Sequence, residues 1–412
     1  STFDTSKVTD ISAMFAYCSN LKEIDVSKFI TKNVVIMSSM FSDCASLTSL
    51  NITKFDVTQT TSFSNMFYNC SSLTSLDVSN FWTTKATSMS KMFAYCSLIK
   101  SLDLPKFDIS KVLLMDYLFA GCTSLTSVNL YKFQYNIVRD ISYMFYKCES
   151  LISIDLSYFR TSSLFTMTRM FEGCKNLETL NIQGLITSQV QDISFLFYGC
   201  EKLKSINFKF DTSKVITMSH MFDSCYSLTS LDLKGLDISY NKNLSYMFNN
   251  CHNLEILDIS NLNTKLIKDT SYMFSNCSSL TQLNLLSFNT SLVENMEGMF
   301  KSCDKIININ LTSFNTEKCN KFDDMFSNCN KDLTVYVNSE YCTNLIEAIK
   351  AEFYKNSSFK HITLIEEAHR LLSAYSPGDS LSKKNAVEIF SDMLAEVRKY
   401  GRSEERRVGK EC

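Results

Sequence analysis

Glycine and proline are scarce here, with nine and two among 412 residues. A fold built of hairpins needs both for its turns, so the shortage argues against a loop-rich or all-β hairpin protein. No run of about eighteen apolar residues occurs, and no segment is expected to span a bilayer. An excess of one charge is also missing. The 41 Lys and Arg against 43 Asp and Glu leave a net −2, which gives no reason to expect nucleic acid or an anionic membrane as partner of the whole chain. The opening "STFDTSKV" has no basic stretch followed by an apolar one, so no signal peptide is expected in this segment.

Cysteine is abundant, at sixteen, and its positions carry the fold. "MFAYC" at 14–18 returns as "MFSDC", "MFYNC", "MFAYC", "LFAGC" and "MFYKC", and so on to "MFSNC" ending at Cys329. Successive cysteines stand 26 residues apart, except Cys200 and Cys225, which are 25 apart. Thirteen units follow, and a fixed period of this length is the mark of a solenoid. The single short interval falls at "INFKFDTSKV", where Phe208 and Phe210 stand two apart instead of three.

Within one unit, "CSSLTSLDVSNF" from Cys70 alternates around Leu76 and Val78, which predicts a short half-buried strand. In "KVTDISAMFAYC", Val8, Ile11, Met14, Phe15 and Cys18 recur at three- and four-residue spacing, which predicts a short helix or a mixed 3₁₀ and α segment. One such coil cannot bury its own apolar face, whereas stacked coils share a core. Parallel strands about 4.8 Å apart would make a rod roughly 60 Å long.

The cysteines stack one per coil with parallel Cβ vectors, a poor geometry for disulfides. No CxxC or Cys/His cluster exists, and His252 beside Cys251 is a lone neighbour, so neither metal nor cofactor is expected. The thiols are read as small buried apolar groups beside the Met-Phe pair. Polar residues line the outer strand face: Ser75, Asp77, Ser101, Asp103, Ser127, Asn129, Ser153, Asp155, Thr179, Asn181, Ser205 and Asn207. This row is the candidate partner-binding face, since solenoids commonly bind through such a surface, and it is equally a solvated face that keeps a long sheet soluble. One carboxylate per coil is too few for calcium.

The unit "MFxxCxxLxxLDLSxFdTskVtdMsxMF" resembles the BspA-type leucine-rich repeats of surface proteins, over residues 1–338. The resemblance implies an α/β leucine-rich-repeat solenoid, a cell-surface or secreted location, and monomeric, non-enzymatic contact with a protein or glycan ligand.

Residues 339–401 lose the 26-residue period. "HITLIEEAH" has the form of a Walker B strand, and "LIEEAHRLLS…KKNAVEIFSDMLAEVRKYG" resembles the HerA/VirB4-like P-loop ATPases. That resemblance implies Glu366 as the Mg²⁺-side acid and Glu367 as the catalytic one, with His369 in the same motif. Yet no GxxxxGK[ST] loop occurs to cradle phosphates, so the fragment is expected to be inert. The ending "GRSEERRVGKEC", residues 402–412, resembles translated adapter sequence. The expectation is therefore a chimera joined between about Ser339 and Phe359.

Overall fold

The computed structural model describes residues 4–134, 136–206, 211–355 and 363–365. The chain winds into a solenoid in which each residue lies beside its counterpart one repeat on. Short strands form along one side: Ser101–Leu102 (β1) pairs in parallel with Ser127–Val128 (β2), and Ser153–Asp155 (β3) with Thr179–Asn181 (β4). Ser230–Leu231 (β5) likewise pairs with Ile256–Leu257 (β6), and Asn308–Leu311 (β7) with Thr334–Val337 (β8). A second line of parallel bridges, one per repeat, runs from Asp10 through Ile36, Ser62 and Ser88 to Lys321. Phe208 and Phe210, which mark the short interval, lie outside the described residues.

The Met-Phe segment is not a helix. Among the described residues the one helix is Thr343–Lys355 (α1). Each Met-Phe segment is instead a run of overlapping turns. In the fifth unit Leu118, Ala120 and Cys122 donate their N–H groups three residues back, to Met115, Tyr117 and Phe119. The alternate residues Met115, Tyr117, Phe119 and Gly121 donate forward, to the carbonyls of Asp140, Ser142, Met144 and Tyr146 in the next repeat. A helix would have kept all these bonds within its own coil. The apolar spacing of three and four fits both structures, because turns closed every three or four residues also return side chains to one face.

The turns require two residues per repeat in the left-handed region, from Ala13 and Tyr17 to Asp324 and Asn328. Glycine fills that role only at Gly121, Gly173, Gly199 and Gly298. At the other positions the side chain costs roughly 1–2 kcal/mol against glycine, a strain that the inter-coil bonds hold in place.

Leucine, methionine and phenylalanine fill the interior. Leu125, Met144, Phe145 and Cys148 are all fully buried. The second phenylalanine of each unit stacks on its neighbour in one column from Phe15 to Phe326, with centroids 5.5–5.9 Å apart and planes within 18° of parallel. That is the offset stacking aromatic rings favour.

The ladder passes residue 338. Helix α1 places Leu345, Ile346 and Ile349 in the same core, at the three- and four-residue spacing of a helix face. Thr363–Ile365 (β9) then pairs in parallel with β8, Thr334 opposite Thr363 and Tyr336 opposite Ile365. The apolar run read as a Walker B strand thus supplies a further strand of the solenoid sheet.

Two substitutions test this packing by urea unfolding. Leu125→Ala should cost about 2–5 kcal/mol. Ser302→Gly, which relieves a left-handed residue, should raise stability by up to about 1 kcal/mol; unchanged or lower stability would show that Ser302 is not strained.

Candidate functional site

Ser75, Asp77, Ser101, Asp103, Ser127, Asn129, Ser153, Asp155, Thr179 and Ser205 are exposed along the strand side, and Asn181 is half-exposed. Asn207 lies outside the described residues, as do Glu366, Glu367 and His369. The described members of the row lie along one side, and the structure shows what the Asp and Asn residues do. The Oδ1 of Asp77 accepts the N–H of Ser79 at 2.9 Å, that of Asn129 the N–H of Tyr131 at 3.2 Å, and that of Asp155 the N–H of Ser157 at 2.8 Å. Asn181 does the same for Gln183 at 3.3 Å. These are Asx turns, in which a side-chain oxygen closes the corner after the strand. Either residue type supplies that oxygen, which explains why Asp and Asn share the row. Asp103 makes no such bond, because the residue two on is Pro105 and has no N–H to offer.

Hydrogen bonds from the Ser79 hydroxyl and N–H hold the Asp77 carboxyl below its ordinary value. Ser27 and Ser260 act in the same way on Asp25 and Asp258.

Large apolar side chains are exposed along this side, among them Ile152, Ile256 and Ile307. Near its C-terminal end the face hollows into a cleft of about 370 Å³, lined by Ile256, Asp258, Gln282, Asn284, Asn308, Asn310 and Tyr336. Tyr336 stands where other repeats carry Asp or Asn, opposite Asn310 in the register, and lines the cleft although it is almost fully buried. The break in the row at Tyr336 was visible in the sequence, although it needed the strand register to be recognised.

The turn side carries a surface that the apolar pattern concealed. The residue before each Met-Phe pair points outward, and mid-array these residues stack in a second column. Tyr117 lies on Tyr143 at 4.2 Å, Phe195 on His220 at 4.3 Å, His220 on Tyr246 at 4.3 Å and Tyr246 on Tyr272 at 4.7 Å. Arg169 bridges the column, its guanidinium 3.8 Å from the Phe195 ring centre, and its ion pair to Glu172 measures 2.7 Å. Burial pushes the Glu172 carboxyl up, against the pull of Arg169. Asp223, almost fully buried, accepts hydrogen bonds from Ser224, Asn249 and Asn250 and faces His220 Nδ1 at 2.8 Å. The rings occupy one another's faces, so this column holds coils together and offers mainly edges to solvent.

The repeat cysteines are free thiols, and Cys44 to Cys303 are buried. They are more than apolar fillers. Each thiol donates to the carbonyl of the phenylalanine in the preceding repeat, as Cys122 does to Phe93 and Cys148 to Phe119, both at 3.1 Å. Burial raises their pKa, to about 11 for Cys44 and about 12 for Cys122. They stay protonated and unreactive, which suits a donor and not a nucleophile. Cys342, outside the ladder, makes an equivalent bond to Phe314 at 3.3 Å.

Against known families, residues 1–102, 73–180, 165–257 and 242–365 match the family described as "Mycoplasma protein of unknown function, DUF285". The chain belongs to the DUF285 family. The last match ends at Ile365, the final residue of β9. No curated protein matches this DUF285 chain. Among solved structures it is similar to the one titled "Crystal structure of TLR13-ssRNA13 complex", at 18% identity, over 85% of this chain and 54% of that one. The chain thus spans about half the length of that protein, and a TM-score of 0.24 is too low for the likeness to carry an argument. The ATPase resemblance of the C-terminal stretch finds no support in these comparisons.

Two measurements follow. The carboxyls of Asp25, Asp77 and Asp258 titrate below their unfolded value of 3.8. Their contribution to stability is therefore present above that pH and is lost as pH falls through the folded values. Denaturation midpoints measured from neutral to acid pH should fall in that window, and less steeply in Asp77→Asn, whose amide oxygen can still accept from Ser79. A thiol reagent applied to the native chain should label the exposed Cys18 and leave Cys44 to Cys303 unmodified until unfolding. Prompt labelling of Cys122 would contradict its burial.

Proposed function

We propose that this chain is a non-catalytic, cell-surface repeat protein of the leucine-rich-repeat type, with thirteen 26-residue coils, that docks a protein partner on its strand face. In this reading the solenoid extends past 338, to include β9. The observation that carries it is the cleft at Tyr336, where exposed Ile256 stands beside the polar side chains of Asp258, Asn284 and Asn308. A recess that combines an exposed apolar anchor with a polar rim is what protein interfaces concentrate their binding energy on. The resemblance to BspA-type surface repeats supports the location and the contact role. The non-catalytic reading is supported by chemistry already committed elsewhere: the strand-face carboxylates close turns, and the buried thiols serve as hydrogen-bond donors.

The test uses the full chain and a protein partner selected by it from a displayed library. Ile256→Arg should weaken that complex by at least about tenfold, or 1.4 kcal/mol, with an unchanged circular dichroism spectrum. Full affinity in the variant would move docking off this cleft. Adding Mg-ATP should leave the melting temperature where it was, because a ligand stabilises only what it binds. A rise of several degrees would overturn the non-catalytic reading.

A further inference from the structure

The corner where each coil leaves the strand face carries lysine in every interval from Cys18 to Cys148. Lys28, Lys54, Lys106 and Lys132 stand ten residues after a cysteine, at the turn that follows the strand, and Lys85 and Lys111 stand fifteen after one, at the next turn. Among the described residues none of these six takes part in an ion pair; the paired cations are Arg169, Lys175, Lys204, His220, Lys268 and Lys301. Asp56 and Asp108 lie among the lysines, and Asp25 feels the charges of Lys28 and Lys54; each of the three accepts a backbone N–H in its own Asx turn. The positive stripe is local, since the whole chain carries −2.

Exposed aromatic rings stand among the lysines. Trp82 is 50% exposed, Tyr131 43% and Tyr158 52%. Lys106 Nζ lies 4.9 Å from the centre of the Trp82 ring, and Lys132 Nζ 5.1 Å from that of Tyr131. Unlike the column on the turn side, these rings do not stack on one another, so their faces are open to a ligand that can displace a flexible lysine head.

The geometry points to a binding stripe for an anionic polysaccharide, a chain of sulfated or uronic-acid sugars, laid along this corner from Lys28 to Tyr158. Lys28, Lys54, Lys106 and Lys132 share one repeat position, so rungs about 4.8 Å apart set them in a line, with Lys85 and Lys111 beside it; this matches a linear polymer with repeated charges better than a rounded protein patch. Every cation in the stripe is lysine. An ammonium on a flexible stem takes a carboxylate or sulfate without fixed orientation, whereas phosphate recognition favours the planar arginine fork. The exposed rings suit the C–H faces of sugars. The site lies on a different part of the surface from the Tyr336 cleft and does not depend on protein docking there.

Trp82 is the single tryptophan, so its fluorescence reports directly from the stripe. Titrating the full chain with heparin fragments at low salt should change the Trp82 emission saturably. The affinity should fall at least about tenfold at physiological salt as the charges are screened. The double variant Lys106→Ala, Lys132→Ala should weaken binding at least about tenfold, as should Lys28→Glu with Lys54→Glu, which leaves the rings untouched. Uncharged dextran should produce no change. Absence of heparin binding, or binding indifferent to both double variants, would overturn the inference. So would equal affinity for poly-glutamate or for a single-stranded oligonucleotide of the same charge, which would assign the stripe to an acidic protein or a nucleic acid. Ile256→Arg should leave heparin affinity unchanged, so the failure of one reading is visible apart from the other.

Discussion

Everything in this structure depends on where alternate N–H groups of the Met-Phe segment point. Met115, Tyr117, Phe119 and Gly121 donate out of their coil, to the next one, and Leu118, Ala120 and Cys122 close turns within it. The segment is therefore neither helix nor strand. It satisfies its backbone partly within the coil and partly through stacking. That arrangement sets the left-handed residues, and it sets the cysteine as well. The Phe93 carbonyl accepts the N–H of Cys96 in its own repeat and the thiol of Cys122 in the next. A small, weakly polar donor that is also content in an apolar interior fits this position, and cysteine alone combines those properties.

The corners follow a parallel logic. Three times in a coil the chain turns, and a side-chain oxygen accepts the N–H two residues on, as at Asp10, Asp25 and, where the chain leaves the strand side, Asp56. Glycine and proline are the usual means of turning a chain, and here Asx and related turns replace them. The scarcity of both residues is thus consistent with a structure that turns constantly. Threonine adds a buried link: the Thr83 hydroxyl donates to the Asp108 carbonyl at 2.9 Å and accepts the Asp108 N–H at 2.8 Å. One side chain thereby ties two coils with a donor and an acceptor at once.

These devices explain what was legible beforehand. The period, the interior rows and the exposure of the strand face follow from residue type and spacing, because a position that must be apolar in every coil repeats visibly. The helix was misread because Ile11, Met14, Phe15 and Cys18 are spaced alike in a helix and in overlapping turns. What separates the two is backbone sign at Ala13 and Tyr17, and side chains such as tyrosine or lysine do not announce a left-handed residue. Only the glycines at 121, 173, 199 and 298 hinted at it. The aromatic column on the turn side escaped for a related reason: Tyr117, Tyr143, Phe195 and His220 share a repeat position with Ala13, Ser39 and Asn65, so no single residue type marks it.

Variation between coils is then informative in its own right. The cysteine and phenylalanine rows are uniform because each member touches its counterparts in the adjacent coils. A solenoid passes its interactions only between neighbours, so a side chain outside the shared core can change with little consequence for the stack. Trp82 and Ile256 are such residues, half or more exposed, and the lysines after the strands reach neighbouring coils only through their flexible heads, as Lys106 does to Trp82 and Asn80. The fold needs no lysine there, since Tyr158, Gly184, Asn261 and Ser287 stand ten residues after the cysteine in other coils. The cluster of lysines between Cys18 and Cys148 is thus unexplained by stacking, and its cause is best sought in what the surface meets.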